Sequence, residues 1–138
     1  METLFTSRAS AQGGREGHVK SDDSIIDLDL VMPGSGSSKE GTNPEQLFAA
    51  GYAACYDGAL NLMAKKANKE IKSDTTAEVS LIKDPEDNGF KIGVELIVEI
   101  EGVSQEEAVD LTDKAHQFCP YSKATRGNID VKITPKAV

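Results

Sequence analysis

The sequence predicts an α+β fold in which helices pack against a largely antiparallel sheet. A strict apolar/polar alternation runs from Phe90 to Glu101, and two other segments carry apolar residues at three- and four-residue steps behind a helix cap. The chain has 138 residues, which allows a single domain spanning 1–138.

Three weak strand signals come first, at Leu4 to Ala11, near His18 to Lys20 and at Ile25 to Leu30. Gly34 to Ser38 is a short flexible loop. Asn43 then caps a long helix, with Pro44 at its first position and Gln46 placed to reach back as in a capping box. Its predicted buried stripe is Phe48, Tyr52, Cys55, Ala59, Leu62 and Met63, and lysines at 65, 66 and 69 suit its negative end. Ala77 to Lys83 and Phe90 to Glu101 form a hairpin across the turn-rich segment Asp84 to Gly89. Phe90, Ile92, Val94, Leu96, Val98 and Ile100 make its buried face. Ser104 and Glu107 form a capping box for a second helix with Ala108, Leu111, Ala115 and Phe118 on one face. Pro120 disfavours helical geometry at Cys119 and ends it. Ile129, Val131 and Ile133 alternate in a last strand.

With 15 basic and 23 acidic residues the net charge is −8, which repels nucleic acid and anionic membranes. The most apolar stretch, Leu47 to Ala64, contains Asp57 and Asn61 and reads as a buried helix rather than a membrane span. Met1 to Ala11 lacks the charged-then-apolar pattern of a secretory leader, so the expected location is cytoplasmic. Two cysteines are too few for a disulfide framework or a four-thiolate zinc site, but enough for a redox couple.

Cys55, on the helix stripe, is either a small buried hydrophobe or a reactive thiol. It lies 12 residues beyond Asn43, too far for the helix dipole to ionise it, so a reactive Cys55 needs a cation. An arginine suits that role better than a lysine, which burial would discharge, and spacing does not choose among Arg8, Arg15 and Arg126. Cys119, at a helix C-terminus, is ill placed to be a first nucleophile and well placed to react second. The two are 64 residues apart, so their contact depends on the fold. His116 reads as a solvated helix residue, with pairing to Cys119 or metal ligation as alternatives, and His18 as a surface residue. Glu45 suits the positive end of the long helix. Asp57 points about 200° around the helix from Cys55 and is expected to act on packing.

Two strings carry a resemblance: Asn43-Pro-Glu-Gln-Leu-Phe-Ala-Ala-Gly-Tyr-Ala-Ala-Cys55 and Cys119-Pro-Tyr-Ser-Lys-Ala-Thr-Arg-Gly-Asn-Ile-Asp-Val131. They resemble the signature segments of the organic hydroperoxide resistance (Ohr) family within the OsmC superfamily, over essentially the whole chain. The resemblance implies an OsmC/Ohr-like intertwined homodimer, with antiparallel sheets wrapped around long central helices and active sites near the subunit interface. It implies a cysteine-based thiol peroxidase that reduces alkyl and lipid-derived hydroperoxides to alcohols without metal, haem or flavin. Cys55 is then the peroxidatic and Cys119 the resolving cysteine, joined in a disulfide during turnover. Arg15, in Gly13-Gly14-Arg15, matches the arginine that stabilises the thiolate, and Glu45 the glutamate that holds it. The implied reductant is a dihydrolipoyl group on a lipoylated protein, or dihydrolipoamide. Alternatives are an OsmC-type stress peroxidase of broader peroxide preference, a non-catalytic stress-response binding protein and, more remotely, a metal-dependent hydrolase built on Cys119 and His116.

Overall fold

In the computed structural model, which describes residues Met1–Val138, the chain forms two units, Met1–Leu47 and Phe48–Val138. The first contains an antiparallel sheet of β1 (Ala9–Gln12), β2 (His18–Ser21) and β3 (Asp27–Asp29), in that order. Strand pairing starts later than the expected Leu4, and Leu4 and Phe5 are exposed. Between β1 and β2 the chain reverses through Gly13 and Gly14, both at positive φ (76° and 61°), into a single helical turn at Gly14–Glu16. Any side chain at Gly17 would meet the Gln12 carbonyl oxygen at 1.7 Å, so the residue that leads into the return strand must be glycine. The second reversal is organised by Asp23, which accepts from the Ser21 hydroxyl and the Ile25 N–H. This turn consumes the start of the expected Ile25 to Leu30 strand and leaves only Asp27–Asp29 paired. His18, expected at the surface, is half-buried and ion-paired: its ring nitrogens lie 2.8 Å from Asp29 and 2.5 Å from Asp27. Those two bonds, that to Asp29 foremost, push its pKa up. Leu30 and Thr42 pair in an isolated parallel bridge, and Gly34 to Ser38 lies in the irregular loop between them.

Helix α1 (Pro44–Lys66) starts at the predicted place. Asn43 Oδ1 accepts the Gln46 N–H at 2.8 Å, but Gln46 does not complete a capping box: its side-chain oxygen accepts from Thr42 Oγ1 at 2.6 Å. The buried stripe in the second unit is Tyr52, Tyr56, Ala59, Leu60 and Ala64. Cys55 and Phe48 therefore lie at the margin of the core, half-buried, and Leu62 is exposed.

The second unit's sheet has the order β4-β5-β6. Strands β4 (Lys72–Asp84) and β5 (Gly89–Glu101) form the expected hairpin, and β4 begins five residues before the predicted Ala77. Its first part, Lys-Ser-Asp-Thr-Thr, is entirely polar and so gives no apolar alternation to read. Val94, Leu96, Val98 and Ile100 of β5 are buried, whereas Phe90, beside the hairpin turn, is exposed. Strand β6 (Val131–Ala137) runs parallel to β5, because the helical crossover between them returns the chain to the same end of the sheet. β6 also continues past the predicted Ile133.

That crossover comprises α2 (Gln105–Phe118) and a short helix, α3 (Pro120–Thr125), which the sequence reading did not anticipate. Pro120 does end α2, but it also occupies the first position of α3, where a missing N–H costs nothing. The core joins Tyr52, Tyr56 and Leu60 of α1 to the β5 face and to Ala108, Leu111 and Ala115 of α2. Each large apolar side chain contributes roughly 1.5–3 kcal/mol by leaving water. The Ser104 capping box forms as predicted, with reciprocal bonds of 3.1 and 3.0 Å to Glu107. Lys69 also pairs with Glu107, and chiefly by that bond holds its carboxyl pKa at about 2, below the ordinary 4.5. This contribution is full above about pH 4.5 and is lost as pH falls through about 2. Ser104→Ala is expected to lower stability by about 1 kcal/mol, measured by urea unfolding at neutral pH.

Candidate active site

The second unit brings the two cysteines together. Cys55 sits midway along α1, and Cys119 occupies the single extended residue between α2 and α3, with φ −59° and ψ 126°. The proline that follows imposes this conformation. Cys119 is fully buried and Cys55 half-buried, both are free thiols, and their sulfurs lie 3.6 Å apart. A disulfide has an S–S length of about 2.05 Å, so a closure of about 1.5 Å would join them. Burial is the main cause pushing the Cys55 thiol pKa up. The backbone N–H of Tyr121, in the first turn of α3, opposes that rise, whereas the Cys119 sulfur adds to it. A thiol so placed is reactive at neutral pH only if a positive charge is added.

The first unit brings together the other two predicted residues. The tight Gly13–Gly17 turn presents Arg15, whose guanidinium makes a two-pronged pair with Glu45, Nη2–Oε1 2.7 Å and Nη1–Oε2 3.0 Å. Arg15 pairs with Glu45 and not with its sequence neighbour Glu16. Glu45 lies in the first turn of α1, and the Arg15 bond holds its carboxyl below the usual range.

An apolar cleft of about 460 Å³ begins at Tyr121 and is lined by Phe48, Ile92, Pro120, Ala124 and Ile129 among others. A second cleft, of about 530 Å³ at the hairpin turn Lys83 to Phe90, contains none of the predicted residues.

Asp57 faces away from the thiols, as the helical angle requires. Its carboxylate accepts from Ser73 (2.7 Å), Thr75 (2.9 Å) and Asn61 (3.2 Å), tying α1 to β4. His116 is not the solvated residue expected, and it pairs with neither cysteine: it is half-buried, with Nδ1 2.8 Å from Ser122 Oγ. Burial lowers its pKa. No group of three or more His, Cys, Asp or Glu side chains is arranged to hold a metal. Sequence reasoning missed the Tyr121 N–H and the buried hydroxyls of Ser122 and Thr125. Their only sequence signal was a proline at a helix start followed by hydroxyl residues three apart.

The sequence profile of the OsmC-like protein family matches residues 34–134. Organic hydroperoxide resistance protein OhrB of Bacillus subtilis (strain 168) is 56% identical over 134 residues, 96% of this chain and 98% of that protein. The chain belongs to the Ohr family, within the OsmC superfamily. The crystal structure of Bacillus subtilis OhrB superposes with a TM-score of 0.93 at 54% identity, covering 99% of this chain and 100% of that one. An organic hydroperoxide resistance protein from Elizabethkingia anophelis, crystallised with thiocyanate bound, gives a TM-score of 0.92 at 49% identity, both chains fully covered. The α+β architecture of this chain is thus that of the Ohr fold. No helix of this Ohr-family chain is long and apolar enough to cross a membrane.

Proposed function

We propose that the protein is a thiol peroxidase that reduces organic hydroperoxides to alcohols. The observation that carries this reading is the pair of free thiols at 3.6 Å, one sealed and one half-buried, with an apolar cleft beginning at Pro120 and Tyr121, directly after Cys119 in the chain. Relatives named organic hydroperoxide resistance proteins, at 56% and 54% identity, support it. The Cys55 thiolate attacks the terminal peroxide oxygen. An S–O bond forms as the O–O bond breaks, the alkoxide takes up a proton and leaves as alcohol, and Cys55 becomes a sulfenic acid. The Cys119 sulfur attacks the sulfenic sulfur, forming the Cys55–Cys119 disulfide and releasing water. A dihydrolipoyl dithiol, on a lipoylated protein or as dihydrolipoamide, then exchanges through a mixed disulfide and leaves oxidised. The cleft lined by Phe48, Ile92 and Tyr121 suits the alkyl part of the substrate, so preference for alkyl over hydrogen peroxide follows. No cofactor takes part in this scheme. The proposed setting is cytoplasmic, where thiols are kept reduced.

The active assembly is proposed to be a homodimer. Leu4, Phe5 and Ile25 in the first unit, and Leu81, Ile82 and Phe90 in the second, are apolar side chains that a partner would cover. Each Cys55 is assigned an Arg15–Glu45 pair as its cation, at a site near the subunit interface. On this view the 138-residue domain is functionally complete only as a pair.

The test compares cumene hydroperoxide with hydrogen peroxide in steady state, using dihydrolipoamide as reductant. The wild type should favour the alkyl substrate. Cys119→Ser should reduce about one equivalent and then stop, with sulfenic or sulfinic acid accumulating at Cys55 by mass spectrometry. Absence of hydroperoxide consumption by the reduced wild type would refute the proposal.

A further inference from the structure

Helix α3 is only six residues long, yet it carries the Tyr121 N–H and lies directly after Cys119. A helix this short does not hold itself in place. Its anchor is a buried polar chain that crosses from α2 to α3 to α1. His116 Nδ1 lies 2.8 Å from Ser122 Oγ, Ser122 Oγ lies 2.8 Å from Tyr52 Oη, and Tyr52 Oη lies 3.1 Å from Thr125 Oγ1. Thr125 Oγ1 in turn donates to the Tyr121 carbonyl at 3.0 Å. Tyr52 and Ser122 are fully buried and Thr125 is 5% exposed.

Counting hydrogens fixes the direction of this chain. Each hydroxyl has one hydrogen to give, and the carbonyl has none. One arrangement makes a hydrogen bond of all four contacts: His116 Nδ1–H to Ser122, Ser122 to Tyr52, Tyr52 to Thr125, and Thr125 to the Tyr121 carbonyl. Nδ1 carries a hydrogen in this arrangement whether the imidazole is neutral or charged, so protonation of His116 leaves the chain intact. The side of α3 that faces α1 is equally constrained. The Tyr121 ring lies across Gly51, where an added Cβ would come within 2.5 Å of its hydroxyl, and packs edge-on or tilted against Phe48 and Tyr52.

We propose that Tyr52, Ser122, Thr125 and His116 are positioning residues that fix α3 on α1, and thereby set both the separation of the two sulfurs and the aim of the Tyr121 N–H at Cys55. None of the four touches the reacting atoms. They act through backbone placement: the chain ends on the carbonyl of the same residue whose N–H meets the thiol.

The variants that test this remove a hydroxyl at nearly constant volume. Tyr52→Phe and Thr125→Val are compared with Thr125→Ser, which keeps the hydroxyl. Two readouts are taken on each full-length, folded protein: the pH profile of Cys55 alkylation by iodoacetamide, followed by peptide mass spectrometry, and the rate of Cys55–Cys119 disulfide formation after one equivalent of cumene hydroperoxide. Tyr52→Phe and Thr125→Val are expected to slow disulfide formation by about tenfold and to move the alkylation profile to higher pH, on the scale of one lost buried hydrogen bond, while Thr125→Ser stays within about twofold of wild type. The alkylation profile needs no peroxide, so it decides the inference even if the peroxidase reading, on which the second readout rests, fails. Wild-type profiles in both Tyr52→Phe and Thr125→Val would overturn the proposal. If Tyr52→Phe does not fold, the contrast between Thr125→Val and Thr125→Ser decides alone, and equal profiles for those two would overturn it.

Discussion

Cys55→Ser is expected to abolish catalytic consumption of cumene hydroperoxide, with a loss on the order of 10⁴-fold or more, the scale on which removing a covalent nucleophile acts. The fold should survive the change, because Cys55 lies at the edge of the core and serine differs from it by one atom. Cys119 does not replace it as the attacking group. It is fully buried, which closes its sulfur to hydroperoxide in the folded protein. Stopped-flow measurement of peroxide loss with the reduced variant checks this directly. Rapid consumption by Cys55→Ser would remove the basis for the proposed mechanism.

Arg15→Ala is expected to have the second largest effect, and its sign follows from the thiol's surroundings. Burial and the Cys119 sulfur push the Cys55 pKa up, and a single backbone N–H opposes them. Removing the cation assigned to this thiol should raise its pKa by about 1–3 units. Each unit cuts the thiolate fraction about tenfold when pH lies below the pKa. The peroxide step should therefore slow on the order of 10- to 1,000-fold at pH 7, with the deficit shrinking as pH rises through the new pKa. The reductant step should change less. Arg15→Lys should recover little, because the two-pronged geometry on Glu45, at 2.7 and 3.0 Å, requires a planar guanidinium.

A mixed dimer separates supply of Arg15 within one subunit from supply across the interface. When Arg15→Ala and Cys55→Ser subunits are refolded together, a heterodimer pairs an intact thiol in one subunit with an intact arginine in the other. Supply from the partner restores one site in each heterodimer, giving about a quarter of wild-type activity in a statistical mixture. Supply from within the subunit restores none.

The long helix, the hairpin and the second helix were legible because each carries a local signal. Asn43-Pro44 and Ser104 mark helix starts through backbone N–H groups that need partners, and the β5 alternation reports a face buried along its own length. The late start and short length of the first-unit strands were less legible, because the turn chemistry at Asp23 competes with pairing. The buried stripe of α1 was placed about one residue off at Cys55. Tyr56, adjacent in sequence, turned inward to bond the Thr112 carbonyl at 2.6 Å, a partner 56 residues away. Helix α3 was missed because a proline ends one helix and starts the next with the same geometry, and six residues give no periodicity to read.

The sequence by itself determined the fold class, the helix boundaries at Asn43, Ser104 and Pro120, and, through two long motifs, the family. It also supplied the names of the four candidate site residues. Only the tertiary structure decided that Cys55 and Cys119 meet, that Arg15 holds Glu45 and not Glu16, and that His116 belongs to a buried hydroxyl chain behind α3. The reason is physical. Caps and alternation are written within a few residues of where they act, whereas a contact between positions 64 residues apart exists only after sheet, helices and crossover have packed and fixed the distance between them.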